Sequence, residues 1–210
     1  MRSPDTRNGP MVPHVATTVV QAPVVAVADA AAGVVGPRDR PDGRSMTDLW
    51  HPAYIGVGSN LDDPRAQVLR AFAELAKLPS TRVVLTSPIY RSHPFGPVKQ
   101  PDFANAVAGV LTQLEPRALL AGLHSVEAAL GRPQQRERWG PRVIDLDVLV
   151  YGDERLDEPQ LTLPHPGIVE RNFVLYPLAD IAPELHIPGL GRVTELKGRV
   201  TSEGLRRDDL

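Results

Sequence analysis

A chain of 210 residues is long enough for one large domain, or for a domain with an appendage, to bury a core. Its 23 Lys and Arg against 25 Asp and Glu give a formal net charge of -2, which excludes the bulk basic field of a general nucleic-acid binder. Having no cysteine excludes disulfides, thiolate metal sites and a cysteine nucleophile, and suits a cytoplasmic protein.

Residues 1–50 read as a disordered extension, ahead of a domain at 51–210. Val12 to Val35 is dominated by Ala and Val, which invites a signal-peptide or membrane-anchor reading. The stretch lacks Leu, Ile and Phe, and Pro13, Pro23 and Asp29 interrupt it, so no membrane attachment is expected. Gly33 to Ser45 has a linker composition, and Met46 is an alternative start. Ala53 to Gly58 predicts a first strand, closing in a Gly58-Ser59-Asn60 turn. Asp63-Pro64 places an N-cap before a proline at the first helical position, and Val68, Leu69, Phe72 and Leu75 continue the helix to about Lys77. Arg82 to Tyr90 reads as a second strand, Ser92 to Pro101 as a proline-rich loop, and Phe103 to Leu111 as a third strand. Pro116 opens a second helix with Leu119, Leu120, Leu123, Val126 and Leu130 toward the core and Gly131 as its stop.

The final strand carries the chemistry. Around Asp145-Leu-Asp147 polar and apolar residues alternate, so both carboxylates project to one face, roughly 6.6 Å apart along the chain. A bare D-x-D pair reads equally as two solvent-side strand residues. Arg132, Arg136, Arg138 and Arg142 precede it, against Glu137 alone, and anions held by arginines beside metals held by carboxylates describe a nucleotide phosphate site. Two Mg²⁺ ions sharing the carboxylates could clamp an in-line phosphoryl transfer. No G-x-x-x-x-G-K-[ST] loop occurs, so phosphate must be held by arginines. His165, between Pro164 and Pro166, is either structural or a hydrogen-bond donor to phosphate. Phe103 and Phe173 are either core or stacking surfaces for a planar ligand, and Asn105, on the face of Phe103, suits the edge of a heterocycle. The element order β-α-β-β-α-β predicts an α+β, ferredoxin-like sandwich: a four-stranded antiparallel sheet with both helices on one face. A C-terminal extension over 154–210 follows, its most apolar stretch Phe173 to Leu178. A palm-type nucleotidyl transferase and an RNA-binding ferredoxin-like module are the rival readings of such a layout.

As a set, Tyr54-Ile-Gly-Val-Gly-Ser-Asn-Leu61, Tyr90-Arg-Ser-His-Pro-Phe-Gly96, Gln100-Pro-Asp-Phe-Ala-Asn105, Glu137-Arg-Trp-Gly-Pro-Arg142-Val-Ile-Asp-Leu-Asp147 and Leu163-Pro-His165 resemble the 6-hydroxymethyl-7,8-dihydropterin pyrophosphokinases of folate biosynthesis. The resemblance runs from about Ala53 to Leu185. It implies transfer of pyrophosphate from ATP to the pterin hydroxymethyl group, with AMP released. It further implies that Asp145 and Asp147 hold two Mg²⁺ ions and that Arg132 and Arg142 act catalytically on phosphate charge. His124, Glu127, Trp139, Thr162, His165 and Arg171 would join those arginines around ATP, with Trp139 on a closing loop. Phe103 and Phe173 would sandwich the pterin, while Ser92, His93, Phe95 and Asn105 surround its hydrogen-bonding edge. The implied partners are these two small molecules, with no nucleic acid and no membrane, and the implied state is a monomer. Gln134, Gln135, Gln160 and Pro166 depart from the family pattern; they bear on triphosphate affinity and loop closure and leave the metal pair and pterin pocket intact.

Overall fold

The structure, a computed structural model, describes residues 49–94, 99–133 and 140–209. Apart from its last two residues, the extension expected at 1–50 lies outside them, as do Phe95, Gln134, Gln135 and Trp139. Strand β1 (His51–Ser59) buries Ala53, Ile55, Val57 and Ser59 on one face and turns Tyr54, Gly56 and Gly58 to the other. It starts two residues earlier than its apolar run suggests, because His51 stacks on Tyr151 at 5.4 Å between ring centroids. Trp50 is likewise engaged, with the Arg82 guanidinium 4.5 Å from its ring centroid.

Helix α1 (Pro64–Leu75) is capped as expected, with the Asp63 carboxylate accepting from the Ala66 amide at 3.3 Å. The strand expected over 82–90 is broken into β2 (Thr81–Thr86) and β3 (Tyr90–Ser92). Pro88 has no N–H to give a ladder, and Ser87 repairs the gap: its hydroxyl accepts from the Val107 amide at 2.9 Å and donates to the Pro88 carbonyl at 2.8 Å. Both pieces pair antiparallel with β4 (Phe103–Thr112), which is buried along most of its length. Helix α2 (Pro116–Ala129) ends as its sequence indicates, Gly131 following at φ +90°. Strand β5 (Asp145–Tyr151) then lies antiparallel to β1, with Gly58 opposite Asp145 and Gly56 opposite Asp147.

The C-terminal residues are a second layer rather than an appendage. They form the hairpin β6 (Leu156–Glu158) and β7 (Leu161–Leu163), a 3₁₀ turn at Ile168–Glu170, helix α3 (Asn172–Ile181), the short pair β8 (His186–Ile187) and β9 (Gly191–Arg192), helix α4 (Val193–Lys197) and strand β10 (Leu205–Arg207). The stretch Phe173 to Leu178 is therefore helical, with Pro177 inside the helix. β10 pairs with β3, so the sheet has six antiparallel strands where four were expected, in the order β10-β3-β4-β1-β5 with β2 also on β4. Helices α1 and α2 share one core with Ile55, Ala106 and Val148, while α3 and α4 share the opposite one with Val107 and Leu149. Among the described residues no helix is long and apolar enough to cross a membrane.

If the C-terminal layer is integral, truncating its centre must weaken the whole domain. Leu175 of α3 is fully buried, and Leu175→Ala is expected to lower the unfolding free energy by about 2–5 kcal/mol in a single transition. Denaturant unfolding followed by circular dichroism measures this; an unchanged midpoint, or a separate early transition, would show that α3 is not part of the cooperative core.

Candidate active site

On the α3 side of the sheet, the row of side chains along β1 falls away at Gly56 and Gly58. A Cβ on Gly58 would stand 3.1 Å from Asn105 Oδ1, and one on Gly56 would stand 3.3 Å from Leu149 Cδ2. The two glycines thereby leave bare backbone as part of the lining of a cavity of about 290 Å³. The sequence reading placed Gly56 within the first strand and Gly58 at its closing turn; two glycines at i and i+2 on an otherwise apolar strand were the available signal. The backbone break at Ser87-Pro88 lets β3 bring Ser92 and His93 to the cavity, β4 supplies Phe103 and Asn105, and α3 supplies Phe173. Asn105 is buried and donates from Nδ2 to the Ser92 hydroxyl at 2.8 Å. His93 Nδ1 lies 3.0 Å from Asp102 Oδ1.

The other end of the same cavity is charged. Asp145 and Asp147 enter it from β5, together with Arg142, His165 and Arg171. Asp145 is held from two sides: Arg132 Nη1 is 2.6 Å from Oδ1, and Arg142 Nη1 bonds Oδ2. Arg132 does not line the cavity; its side chain is buried behind Asp145, where it also binds Glu127. Glu127 is itself buried, and its carboxylate accepts from the Leu146 amide at 2.7 Å. It therefore anchors the start of β5 and orients Arg132. Its spacing of four from Leu123 places it on the buried stripe of α2, a signal that its expected role at the nucleotide had overlooked. His124, one turn along from Leu120, is exposed on α2, whose packing face is on the opposite side of the sheet, so it does not reach the cavity. Thr162 misses it as well, because the β6–β7 hairpin turns it to a second cavity that Arg155, Pro166 and Leu190 also line.

Asp147 accepts no hydrogen bond among the described residues, and its pKa lies above the usual carboxylate range. Burial is the main cause and the neighbouring Asp145 charge the second; His165, Arg171 and Arg132 oppose them. Burial likewise holds His165 below the ordinary histidine value, against the pull of Asp147. The Gly167 amide donates to His165 Nδ1 at 3.0 Å, so the proton of the neutral ring sits on Nε2. Gly167 has a second effect: a Cβ there would lie 2.7 Å from Arg171 Cζ, so the guanidinium rests where any larger residue would put its side chain. Arg171 Cζ is 5.9 Å from the centre of the Phe173 ring. Sequence reasoning also missed Asn60. Its buried amide accepts from the Arg142 amide at 2.8 Å and donates to Gln100 Oε1 at 2.9 Å and to the Pro101 carbonyl at 3.2 Å.

Comparison with known proteins points one way. The family model described as 7,8-dihydro-6-hydroxymethylpterin-pyrophosphokinase (HPPK) matches residues 54–183. A 2-amino-4-hydroxy-6-hydroxymethyldihydropteridine pyrophosphokinase of Pseudomonas aeruginosa is 46% identical over 154 residues, which are 73% of this chain and 94% of that protein. The protein of the same name in Haemophilus influenzae is 44% identical over 144 residues, 69% of this chain and 89% of the relative. Among solved structures, the wild-type HPPK-DHPS of Plasmodium falciparum superposes with a TM-score of 0.60 at 15% identity, covering 76% of this chain and 44% of that one.

The raised pKa of Asp147 has a sign that stability measurements can read. In the window between the ordinary value of 3.8 and the raised one, the folded state binds the extra proton, so stability falls as pH rises through that window. Above it the full penalty remains. Without divalent cations, Asp147→Asn is expected to melt at a higher temperature than the parent at pH 7, with the gap closing as pH falls toward 4. A variant that melts below the parent at neutral pH would contradict this account.

Proposed function

This chain belongs to the 7,8-dihydro-6-hydroxymethylpterin-pyrophosphokinase family and is an ATP-dependent pyrophosphokinase, and we propose that it joins the β-phosphorus of ATP to the hydroxymethyl oxygen of 6-hydroxymethyl-7,8-dihydropterin. The bond from the β-phosphorus to the α–β bridging oxygen breaks, AMP departs with that oxygen, and the hydroxyl proton is released. One observation carries the reading: a slot lined by bare backbone, two phenylalanines and a buried carboxamide opens beside two carboxylates and two arginines. The strand order β5-β1-β4-β2, with α1 and α2 on one face, supports a ferredoxin-like core for the domain.

In this proposal Phe103 and Phe173 stack on the pterin. Asn105 reads its edge through Oδ1 and the Nδ2 proton that Ser92 does not take. Arg142, Arg171 and His165 Nε2 bind the triphosphate, while Arg132 orients Asp145 from behind. The residues also suit Mg²⁺: two hard oxygen donors project to one face, and the Asp147 charge has no hydrogen-bond donor among the described residues and is disfavoured by burial. Each Asp145 oxygen keeps a lone pair beyond its bond to arginine. Two bound Mg²⁺ ions would neutralise the phosphates and acidify the acceptor hydroxyl. Among the described residues no side chain stands as a separate general base, so they contribute by positioning and electrostatics.

Incubating the protein with ATP, Mg²⁺ and the dihydropterin is expected to yield AMP and the pterin diphosphate by chromatography. Release of inorganic pyrophosphate instead would favour a nucleotidyl transferase. Asp147→Ala is expected to abolish turnover, and Arg142→Ala to reduce kcat on the order of 10²-fold with a smaller effect on pterin binding. Gly167→Ala, by pushing the Arg171 guanidinium aside, should raise KM for ATP. In an Arg171→Ala background the same change should do nothing further; additive losses would place Gly167 outside the action of Arg171.

A further inference from the structure

We propose that the segment from Thr201 to Asp208 is a clasp that positions both walls of the heterocycle slot, setting affinity for the pterin without touching it. The proposal rests on the slot assignment above. On one side, β10 pairs residue by residue with β3: Leu205 faces Ser92, Arg206 faces Arg91 and Arg207 faces Tyr90. Without β10, β3 would be a three-residue edge strand held by β4 alone. The His93 amide donates to the Gly204 carbonyl at 3.1 Å, continuing the grip into the slot wall. Gly204 sits at φ +69°, and a Cβ there would lie 3.0 Å from His93 Cδ2, so the close approach requires glycine.

The other side of the same short segment holds α3. Asn172, its first residue, donates from Nδ2 to the Thr201 carbonyl at 2.9 Å and the Glu203 carbonyl at 3.1 Å. The next residue is Phe173, the α3 side of the slot. The far end of the clasp is fixed by Asp208. Its amide donates to the Ile89 carbonyl at 2.8 Å, and its carboxylate lies 3.2 Å from Arg91 Nε. Its carbonyl accepts from Arg65 of α1 at 3.0 Å. None of these tail residues lines the cavity. A shift of the clasp reaches the ligand through Ser92, which holds Asn105, and through Asn172, which carries Phe173. The phosphate end is anchored by β5, Asn60 and the Gly167 turn, and among the described residues Arg142, His165 and Arg171 make no hydrogen bond to the tail, which predicts a larger effect on the pterin than on the nucleotide.

Asn172→Ala removes both bonds to the tail while leaving every cavity residue in place. Titration of 6-hydroxymethylpterin, in the presence of α,β-methylene-ATP and Mg²⁺, is expected to show about tenfold weaker binding, the loss that two hydrogen bonds to carbonyls convert to. The affinity for the nucleotide analogue should stay near that of the parent, and the melting temperature should fall by no more than several degrees. Gly204→Val should act in the same direction, and so should a chain ending at Val200; if that truncated chain does not fold, the two point variants decide. Unchanged pterin affinity in both overturns the clasp, and so does equal weakening of pterin and nucleotide, which signals general loosening. A parent protein that binds nucleotide but no pterin removes the slot assignment itself, an outcome distinct from failure of the clasp.

Discussion

Two carboxylates forced to one face of a strand are the constraint around which this domain is arranged. Asp145 and Asp147 share β5 with Leu146, Val148 and Leu149, which are buried on the two sides of the sheet. Neither charge can be left bare in such surroundings without a large desolvation cost. The chain resolves half of the problem itself. Arg132 and Arg142 close on Asp145 from either side, and Glu127 steadies Arg132 while it ties down the Leu146 amide. Among the described residues Asp147 has charges at a distance and no bonded donor, so burial disfavours its ionised form. Under the proposed function, the geometry that disfavours the bare Asp147 charge is what suits the site to a cation and a polyphosphate.

The second feature is an absence of side chains. Gly56 and Gly58 lie directly across from Asp147 and Asp145 in the β1–β5 ladder, so the bare stretch of sheet adjoins the charged one. A planar group resting there would have phenylalanine from the sheet and from α3 beside it, with the carboxylates on the adjoining strand. Specificity for shape and competence for phosphate chemistry therefore derive from neighbouring positions on two strands. This explains why the strand break at Ser87-Pro88 matters: it redirects the chain so that Ser92 reaches Asn105.

Much of this was legible in the sequence, for identifiable reasons. The helices announced themselves through Asp63-Pro64, Pro116 and Gly131, which act locally. The carboxylate pair was legible because strand geometry alone puts i and i+2 together. The break that splits 82–90 into two strands was not, since the Val and Leu content of its first half outweighed one proline. The C-terminal layer was missed because its strands are two or three residues long and its helix contains Pro177, so no periodicity develops. Buried polar anchors were the least legible. Asn60 reads as a turn residue, and Glu127 as a nucleotide contact by resemblance, until the fold brings their partners from 82 and 19 residues away.

Asn60 also links parts of the site that are remote in sequence. One end of its amide holds the backbone at Arg142, the other the backbone at Pro101, two residues before Phe103. The stretch leading to Phe103 and the stretch leading to Arg142, at the charged end of the cavity, hang from a single buried side chain. Asn60 therefore fixes the spacing between the Pro101 and Arg142 backbones, apart from the Ser92 and α3 sides of the slot that the tail holds.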